Sequence, residues 1–468
     1  MKVILLIDFG STFTKVTAVD LKNEIILGCA SSFTTVNSDI NEGLSNTIEK
    51  LEQKIGKLKD YTCLACSSAA GGLRMVISGL VENVTSKAAK EACLGAGAKV
   101  LKTYSYEISE EDLDEIDKIN PEIFLLCGGT DGGDKKCILH NANMISKSKS
   151  NFPIIIAGNK EANYKCKNIL KNKEIYIVDN VMPEFGKLNI HSAQNKIREI
   201  FLKKIIYAKG ISKVDTLISG ILMPTPSSVL KALELLSMGY EEESGIGELM
   251  AIDLGGATTD VYSVAEGYPQ DSNIIYKGIE EPYIKRTVEG DIGMRYSIEG
   301  VVEEVGIDKI SQMTSLSKEK ASQMIQYLKN NPYIISKEKE FINLDLAIAA
   351  KAVEIATKRH CGTKEEIYTS NGLAYLQKGK DLTQIKNIIV TGGSLIHLSE
   401  TYNVIKYALY DTNDPTSLRP KSSEILVDKK YILYAMGLLS QLYPKIAIRI
   451  MKKELKYDGN QKQKNSER

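Results

Sequence analysis

The chain has 468 residues, 43% of them hydrophobic and 25% charged, a composition typical of a soluble globular protein with two or three domains. Its 60 Lys and Arg against 59 Asp and Glu leave a net charge of +1, which argues against a general nucleic-acid binder because such proteins carry a basic excess. The apolar start at residues 3–7 is cut by Asp8, and no apolar run approaches the ~20 residues that span a bilayer. We therefore expect a cytoplasmic protein that binds neither membranes nor nucleic acid.

Strand and helix signals alternate along the chain, as they do in α/β proteins. The predicted strands cover residues 3–8, 15–20, 24–30, 62–67, 123–127, 153–157, 175–178, 249–253, 260–264 and 387–390. The predicted helices cover residues 40–58, 86–95, 317–328, 344–358 and 431–442. The strands between residues 123 and 178 each run into a turn of Gly, Asn or Asp, which is typical of the βα units of an open sheet. Residues 451–468 have almost no apolar content and are predicted to be a frayed helix end and a disordered tail.

The eight cysteines are scattered along the chain and form no disulfide framework. Cys63 and Cys66 make a single CxxC pair in an apolar segment, without a second pair at zinc-site spacing. A redox or metal role is one interpretation of this pair, and thiols packed on a strand are the favoured one. The four histidines stand singly, so no histidine-rich metal site is expected.

A weak internal repeat suggests that the chain has two similar halves. Residues 8–16 read DFGSTFTKV and residues 253–261 read DLGGATTDV, and each copy follows an apolar strand. The aspartate, the first glycine and the second threonine coincide. This repeat predicts one domain over residues 1–248 and another over 249–450, each presenting a glycine-containing hairpin turn to a shared cleft. A βα-rich segment at about 120–185 accounts for the longer first half.

The first of these turns has the residues that a phosphate site needs. Gly10 lets the backbone bend and approach a ligand, and the amides and hydroxyls of Ser11 and Thr12 can point at phosphate oxygens. Lys15 can reach the same phosphates as a point charge, and Asp8 can hold Mg²⁺ through water. An ordinary hairpin with a surface lysine is the alternative interpretation.

Two further turns follow strands in the second half. The second turn keeps the aspartate, glycine and threonine but has Asp260 where the first has Lys15. The third, residues 391–394 (TGGS), ends a strand with two glycines on which a nucleoside could lie. The chain has no GxxxxGK[ST] and no GxGxxG after its first strand, so P-loop and dinucleotide sites are not supported. Three turns in this order predict a nucleotide site of another kind.

These turns resemble the phosphate-1, phosphate-2 and adenosine motifs of the superfamily that joins actin, heat-shock chaperones and sugar kinases. Residues 434–438 (YAMGL) resemble the second connecting helix of that superfamily. The resemblance implies an α/β fold of two ribonuclease-H-like, actin-like ATPase domains around a nucleotide cleft, closing over Mg-ATP.

A closer resemblance covers nearly the whole chain. Several long strings are similar to the glutamate mutase L (MutL) family, the ATPase partners of adenosylcobalamin-dependent mutases. They are residues 66–75 (CSSAAGGLRM), 94–99 (LGAGAK), 127–133 (CGGTDGG), 180–183 (NVMP), 253–260 (DLGGATTD) and 285–295 (KRTVEGDIGMR).

The resemblance also implies roles for individual residues. The β- and γ-phosphates and the metal would be held by Asp8, Gly10, Ser11, Thr12, Thr14 and Lys15, and would be faced from the second domain by Asp253, Gly255, Gly256 and Thr258. Gly392, Gly393 and Ser394 would carry the adenosine, and the metal would lie at Asp8 and Asp253. Asp131 is a candidate for orienting the attacking water, with Asp253 as the other candidate. Positive charge could be added by Arg74, Lys285 and Arg286, although solvated loop positions are the favoured interpretation of these three.

The implied function is ATP-dependent reactivation of an adenosylcobalamin mutase, in which ATP binding and hydrolysis drive the exchange of damaged cobalamin. Glutamate mutase and aminomutases are both candidate partners, and a homodimer is left open. The alternatives are a small-molecule kinase of the same fold, an iron–sulfur ATPase activator of a radical enzyme, and a non-enzymatic module that senses ATP.

Overall fold

The structure, a computed structural model, describes residues 2–10, 13–33, 40–68, 73–208, 221–269, 271–334, 336–370, 372–396, 398 and 400–457. These residues fall into two units. The first unit comprises Met1–Ala232, Gly278–Pro282 and Tyr434–Ile450, and the second comprises Leu233–Lys277, Tyr283–Leu433 and Met451–Arg468. The predicted tail at 458–468 lies outside the described residues, whereas residues 451–457 belong to a helix end and a short strand.

Strands and helices are numbered in chain order. The strands are β1 (Val3–Phe9), β2 (Phe13–Asp20), β3 (Ile25–Phe33), β4 (Tyr61–Ser67), β5 (Leu73–Gly79), β6 (Ala98–Ser105), β7 (Ile123–Leu126), β8 (Ile154–Ile156), β9 (Ile175–Ile177), β10 (Ile221–Pro224), β11 (Gly239–Tyr240), β12 (Glu243–Ser244), β13 (Leu249–Leu254), β14 (Thr259–Val264), β15 (Ile274–Tyr276), β16 (Ile284–Glu289), β17 (Thr363–Thr369), β18 (Gly372–Lys378), β19 (Asn387–Thr391), β20 (Glu424–Val427) and β21 (Lys456–Tyr457). The helices are α1 (Ile40–Ile55), α2 (Lys87–Gly95), α3 (Glu110–Ile119), α4 (Lys136–Ser146), α5 (Asn163–Ile169), α6 (His191–Ala208), α7 (Thr225–Met238), α8 (Ile298–Val305), α9 (Ile307–Thr314), α10 (Lys318–Asn330), α11 (Lys339–His360), α12 (Gly393–Ile396), α13 (Thr401–Ile405), α14 (Leu433–Leu439) and α15 (Pro444–Glu454).

The main sheet of the first unit has the order β3-β2-β1-β4-β10. Strands β1, β2 and β3 form an antiparallel meander, and β4 and β10 continue the sheet parallel to β1. All seven residues of β1 are buried, because side chains on both faces of this central strand are covered.

The second unit repeats this arrangement in the order β16-β14-β13-β19-β20, with β21 added at the edge. Here β13, β14 and β16 are the antiparallel meander, and β19 and β20 are parallel to β13. The repeat predicted from the sequence is confirmed, because Asp8 lies opposite Lys15 and Asp253 lies opposite Asp260 in the same register. The expected fold of two ribonuclease-H-like domains is confirmed as well.

A second sheet in the first unit is entirely parallel and has the order β6-β5-β7-β8-β9. Its strands β7, β8 and β9 are those predicted for the βα-rich segment, while β5 and β6 precede that segment. Helices α3, α4 and α5 pack on one face through a cluster that includes Ile116, Ile138 and Cys166. The loops that follow the strands of this parallel sheet lie together at its carboxyl edge.

The predicted helices are confirmed, with shifted ends. The helices predicted at 40–58, 86–95, 317–328, 344–358 and 431–442 correspond to α1, α2, α10, α11 and α14. Within the described part of the chain, no helix combines the length and apolar character that a membrane crossing needs.

The small residues of α14 have a packing reason in the first unit. A Cβ placed on Gly437 would lie 1.8 Å from the Ser228 carbonyl oxygen of α7. The Ser228 hydroxyl also donates to the Tyr434 carbonyl at 2.6 Å. The helices thus approach at a distance that only glycine permits.

We expect Gly437→Ala to lower the free energy of unfolding by roughly 1–3 kcal/mol, because the added methyl group must push the two backbones apart. Denaturant unfolding of the two proteins measures this difference. Ser440→Ala, which removes only a half-buried hydroxyl that donates to the Gly437 carbonyl, is the matched control and should change stability much less. Equal stability of Gly437→Ala and the unchanged protein would contradict the packing argument.

Candidate functional site

The hairpins that follow β1 and β13 close through the same backbone hydrogen bond. The Gly10 amide donates to the Phe13 carbonyl at 3.1 Å, and the Gly255 amide donates to the Thr258 carbonyl at 2.9 Å. A Cβ on Gly10 would lie 2.5 Å from the Phe13 oxygen, so the first turn requires glycine there. Ser11 and Thr12, which were predicted to contact phosphate, lie outside the described residues.

Asp8 is the centre of a cluster at the end of the central strand of the first unit. It lies opposite Lys15 on β2 and opposite Cys66 on β4, and it is 2% exposed. The Lys15 ammonium is 3.8 Å from Oδ2, while the Thr225 hydroxyl donates to Oδ1 at 2.6 Å and the Cys66 thiol to the same oxygen at 3.7 Å. The sequence predicted that Asp8 and Lys15 serve one turn, and the structure brings their side chains together.

Thr225 is a site residue that the sequence interpretation missed. It is the first residue of α7 and follows directly on β10, so the fold carries it to Asp8 across more than two hundred residues of sequence. The available signal was a short apolar run, Ile221–Pro224, followed by Thr-Pro-Ser-Ser, which is typical of a strand leading into a helix start.

Thr14 is placed differently from Lys15. Successive side chains of a strand point to opposite faces of the sheet, so Thr14 lies on the other face from its neighbour and is fully buried. Its carbonyl accepts a hydrogen bond from the Thr47 hydroxyl of α1 at 3.4 Å. Its proposed part in nucleotide binding stays a prediction.

Burial raises the pKa of the Asp8 carboxyl above its ordinary value of 3.8, although the charge of Lys15 and the hydrogen bonds from Thr225 and Cys66 act in the opposite direction. A carboxylate in this position therefore destabilises the first unit at neutral pH. Groups retained at such a cost are concentrated at functional sites.

The second turn is held firmly by the segment that follows β16. The amide of Met294 donates to the Gly255 carbonyl at 3.1 Å, and the amides of Arg295 and Tyr296 donate to the Gly256 carbonyl at 2.8 and 2.9 Å. The Arg295 guanidinium in turn makes two hydrogen bonds of 2.8 Å to Asp345 on α11. This support fixes the backbone on which the half-buried Asp253 and Thr258 are carried.

The third turn lies directly against the second. Gly392 has φ +93°, and a Cβ there would lie 2.6 Å from Asp253 Oδ1 and 2.6 Å from the Leu254 carbonyl oxygen. Gly393 is different, because a Cβ there would meet no atom within 4 Å. The structure thus brings together the predicted residues Gly392 and Asp253, and it leaves open space beside Gly393 and the half-buried Ser394.

The prediction that Lys285 and Arg286 are solvated loop residues is wrong. Both lie on β16, which pairs with β14 at the edge of the sheet, and both side chains are buried. The Lys285 ammonium donates to the His360 carbonyl at 2.7 Å, and Arg286 binds the carboxylate of Asp260. The third residue of the set, Arg74, is an exposed residue of β5 whose guanidinium donates to the Asn120 carbonyl at 3.3 Å.

Asp131 joins three loops at the carboxyl edge of the parallel sheet. Its Oδ1 accepts from the Lys160 amide and from the Asn180 side chain, both at 3.0 Å, and its own amide donates to the Pro183 carbonyl at 2.9 Å. Burial alone would raise the pKa of Asp131, but these hydrogen bonds and the Lys160 charge lower it below its ordinary value. The carboxylate therefore stabilises these loops, and its role towards water stays a prediction.

Cys63 and Cys66 are packed thiols of β4. They are three residues apart on a strand, so their side chains point to opposite faces of the sheet. Burial raises the pKa of the Cys63 thiol to about 11, and burial together with the charge of Asp8 raises that of Cys66 well above its ordinary value. These geometries do not suit a shared metal or a disulfide. Among the described residues, no group of three or more His, Cys, Asp or Glu side chains could hold a metal ion by itself.

We expect Asp8→Asn to raise the melting temperature of the nucleotide-free protein near pH 7. Each kcal/mol added to the free energy of unfolding should raise the melting temperature by about 2–4 °C. Because the folded-state pKa of Asp8 lies above the unfolded value, the wild-type protein loses stability as pH rises through the interval between the two. The gain from Asp8→Asn should therefore vanish below about pH 4 and grow towards a plateau at higher pH.

Asp131→Asn is the matched control with the opposite sign, since the pKa of Asp131 is lowered in the folded protein. It should lower the melting temperature at pH 7, and this loss should shrink as pH falls. Thermal unfolding followed between pH 3.5 and 8 measures both variants. A destabilised Asp8→Asn protein at pH 7 would contradict the assignment of Asp8 as a strained buried carboxylate.

Comparisons with known proteins identify the family of this chain. The profile of the family described as "MutL protein" matches residues 4–455. "Protein MutL" of Clostridium tetanomorphum is 45% identical over 459 residues, which cover 97% of this chain and 99% of that protein.

Solved structures of low identity are similar along most of the chain. Component A of the (R)-2-hydroxyglutaryl-CoA dehydratase of Acidaminococcus fermentans is 9% identical, with a TM-score of 0.33, and covers 96% of this chain and 100% of its own. Gluconate kinase of Lactobacillus acidophilus is 12% identical, with a TM-score of 0.36, and covers 98% of this chain and 92% of its own. The fold assignment rests on the strand orders and the register given above. The family assignment rests on the family match over residues 4–455 and on the 45% identical relative. This chain belongs to the MutL protein family.

Proposed function

We propose that the protein is an ATP-dependent reactivating factor for an adenosylcobalamin-dependent mutase. Family membership supports the mutase partner, since the motifs of the chain resemble those of the ATPase partners of such enzymes. The Asp8 cluster supports ATP as the ligand, and it is the observation that carries the proposal. The proposed setting is the cytoplasm, as expected from the sequence.

The first turn is suited to triphosphate binding because its cation is partly exposed. Lys15 has 26% of its side chain exposed and lies 3.8 Å from Asp8, which is longer than a direct hydrogen bond. A triphosphate that approaches the Gly10 turn would draw this ammonium towards its own oxygens. The same approach places negative charge near Asp8, which a divalent cation would compensate.

We assign Asp8 and Asp253 as the carboxylates towards a magnesium ion, since Mg²⁺ takes oxygen ligands and keeps several waters. When bound with ATP, the ion supplies charge neutralisation at the β- and γ-phosphates. In the first unit, Thr225 and Cys66 donate to Oδ1 of Asp8, and the Lys15 ammonium lies beside Oδ2. The hydrogen-bonded Oδ1 fixes the orientation of the carboxylate.

In the second unit, we assign Asp253, Gly255, Gly256 and Thr258 to the phosphates and Gly392, Gly393 and Ser394 to the adenosine. The open space beside Gly393 supports the adenosine assignment, because a flat base can approach a backbone that carries no side chain. Asp131 and Asp253 remain the two proposed groups for orienting the attacking water. Hydrogen bonds from the Lys160 amide and the Asn180 side chain hold Oδ1 of Asp131.

Reactivation requires that nucleotide state changes the affinity for the partner. A protein that binds ATP and ADP in conformations of different stability can release a damaged cobalamin from a tight mutase complex by shifting between them. Hydrolysis makes the cycle directional, because the ATP-bound conformation is consumed at each turnover.

We expect Lys15→Ala to lower the ATPase rate by about 10²-fold, since it removes the partly exposed cation beside the first turn. It should also abolish recovery of an inactivated mutase incubated with the protein and Mg-ATP. ATP hydrolysis and mutase activity are measured on the same samples. Lys102→Ala is the matched control. It removes an exposed lysine of β6 that pairs with Glu115 of α3, and it should leave ATP hydrolysis and mutase recovery unchanged.

Two outcomes would contradict the proposal. Equal recovery of mutase activity with Lys15→Ala and with the unchanged protein would exclude a role of ATP at this turn. An ATPase that is silent until a sugar or organic acid is added would indicate a small-molecule kinase of the same fold.

Adjacent glycines allow a sharp test of the adenosine assignment. Gly393→Ala should keep the melting temperature, because the new Cβ meets no atom, but weaken ATP binding by about tenfold if the base lies on this backbone. Gly392→Ala should instead destabilise the second unit, because its φ is +93° and its Cβ would clash with Asp253. Calorimetry measures both quantities, and unchanged ATP affinity of Gly393→Ala would reject the assignment.

A further inference from the structure

The two repeated turns carry opposite charge at equivalent positions. Seven residues after the aspartate of each turn, β2 has Lys15 and β14 has Asp260. In the second turn two acidic residues, Asp253 and Asp260, therefore lie opposite each other. Their like charges repel, and they also oppose the approach of a phosphate.

Arg286 compensates this charge from a different strand. It lies opposite Tyr262 on β14, and its Nε and Nη2 atoms are 2.8 and 2.6 Å from Asp260 Oδ1. The position equivalent to Arg286 in the first unit is Cys29, which lies opposite Thr17. The cation thus comes from the second strand of the meander in one unit and from the third strand in the other.

The environment of Arg286 keeps it from reaching a ligand. Its side chain is 4% exposed, and it is held by Asp260 on one side and by the buried Tyr262 on the other. A guanidinium buried in this way has lost its hydration and is retained by its paired carboxylate. The contrast with Lys15, whose side chain is 26% exposed, is a contrast between a buried and a partly exposed cation.

The second oxygen of Asp260 connects the pair to the turn. Thr258 donates from its hydroxyl to Asp260 Oδ2 at 3.5 Å, while Oδ1 is occupied by Arg286. We propose that Arg286 is a positioning residue, which neutralises Asp260 and lets that carboxylate orient the Thr258 hydroxyl without repelling the phosphates of ATP. This inference rests on the proposed assignment of Thr258 to the phosphates.

The test measures ATP affinity and ATPase kinetics separately. Arg286→Met should raise KM for ATP about tenfold, because it leaves an uncompensated carboxylate at the turn, with a smaller change in kcat. Arg286→Lys should restore part of the affinity. Arg286→Met combined with Asp260→Asn should also restore part of it, since this double variant removes both charges and keeps the volume of the core.

Arg419→Met provides the matched control for the loss of a buried arginine. Arg419 is 2% exposed in the same unit and contacts Ser417, Tyr407 and Asp414, so its loss should lower stability and leave KM unchanged.

The outcomes separate this inference from the proposed function. If the unchanged protein does not bind ATP in calorimetry, the proposed function fails. If it binds ATP and folded Arg286→Met binds ATP equally well, the positioning role is overturned. It is also overturned if the double variant, folded, binds ATP as weakly as Arg286→Met, since removing the charge of Asp260 would then restore nothing.

Discussion

The structure depends on placing a carboxylate almost without water at the end of a central strand. Every residue of β1 is buried, so Asp8 cannot turn towards solvent, and its partners must come from the neighbouring elements. The pairing of β1 with β2 and β4 supplies Lys15 and Cys66, and the start of α7 supplies Thr225. Three chain segments far apart in sequence thus meet because one polar group needs them.

The second unit satisfies the same constraint with other residues. The backbone hydrogen bond that closes each turn and the register of each meander are identical, but the charge opposite the aspartate has changed sign. Arg286 restores the balance from β16, one strand further along the sheet. The two copies of the repeat within this chain therefore share their backbone geometry. The charges beside the turn are compensated by different residues in each unit.

How far the sequence predicts the structure depends on the range of the interactions. The repeat around Asp8 and Asp253 predicts two like sheets correctly, because a strand, a glycine turn and a second strand are local signals. The burial of Arg286 could not be predicted in this way, since it follows from pairing with a strand more than twenty residues away. The contact of Thr225 with Asp8 could not be predicted for the same reason.

The neighbouring residues Gly392 and Gly393 are glycines for different reasons. Gly392 is explained by packing, since its backbone conformation and its contact with Asp253 exclude any side chain. Gly393 has no such explanation, because no atom of the described residues lies within 4 Å of the place where a Cβ would be. Lys15 and Arg286 differ in exposure, since 26% of the Lys15 side chain and 4% of the Arg286 side chain are exposed. A residue whose type no contact among the described residues requires is one whose type a ligand can require, which directs attention to Gly393.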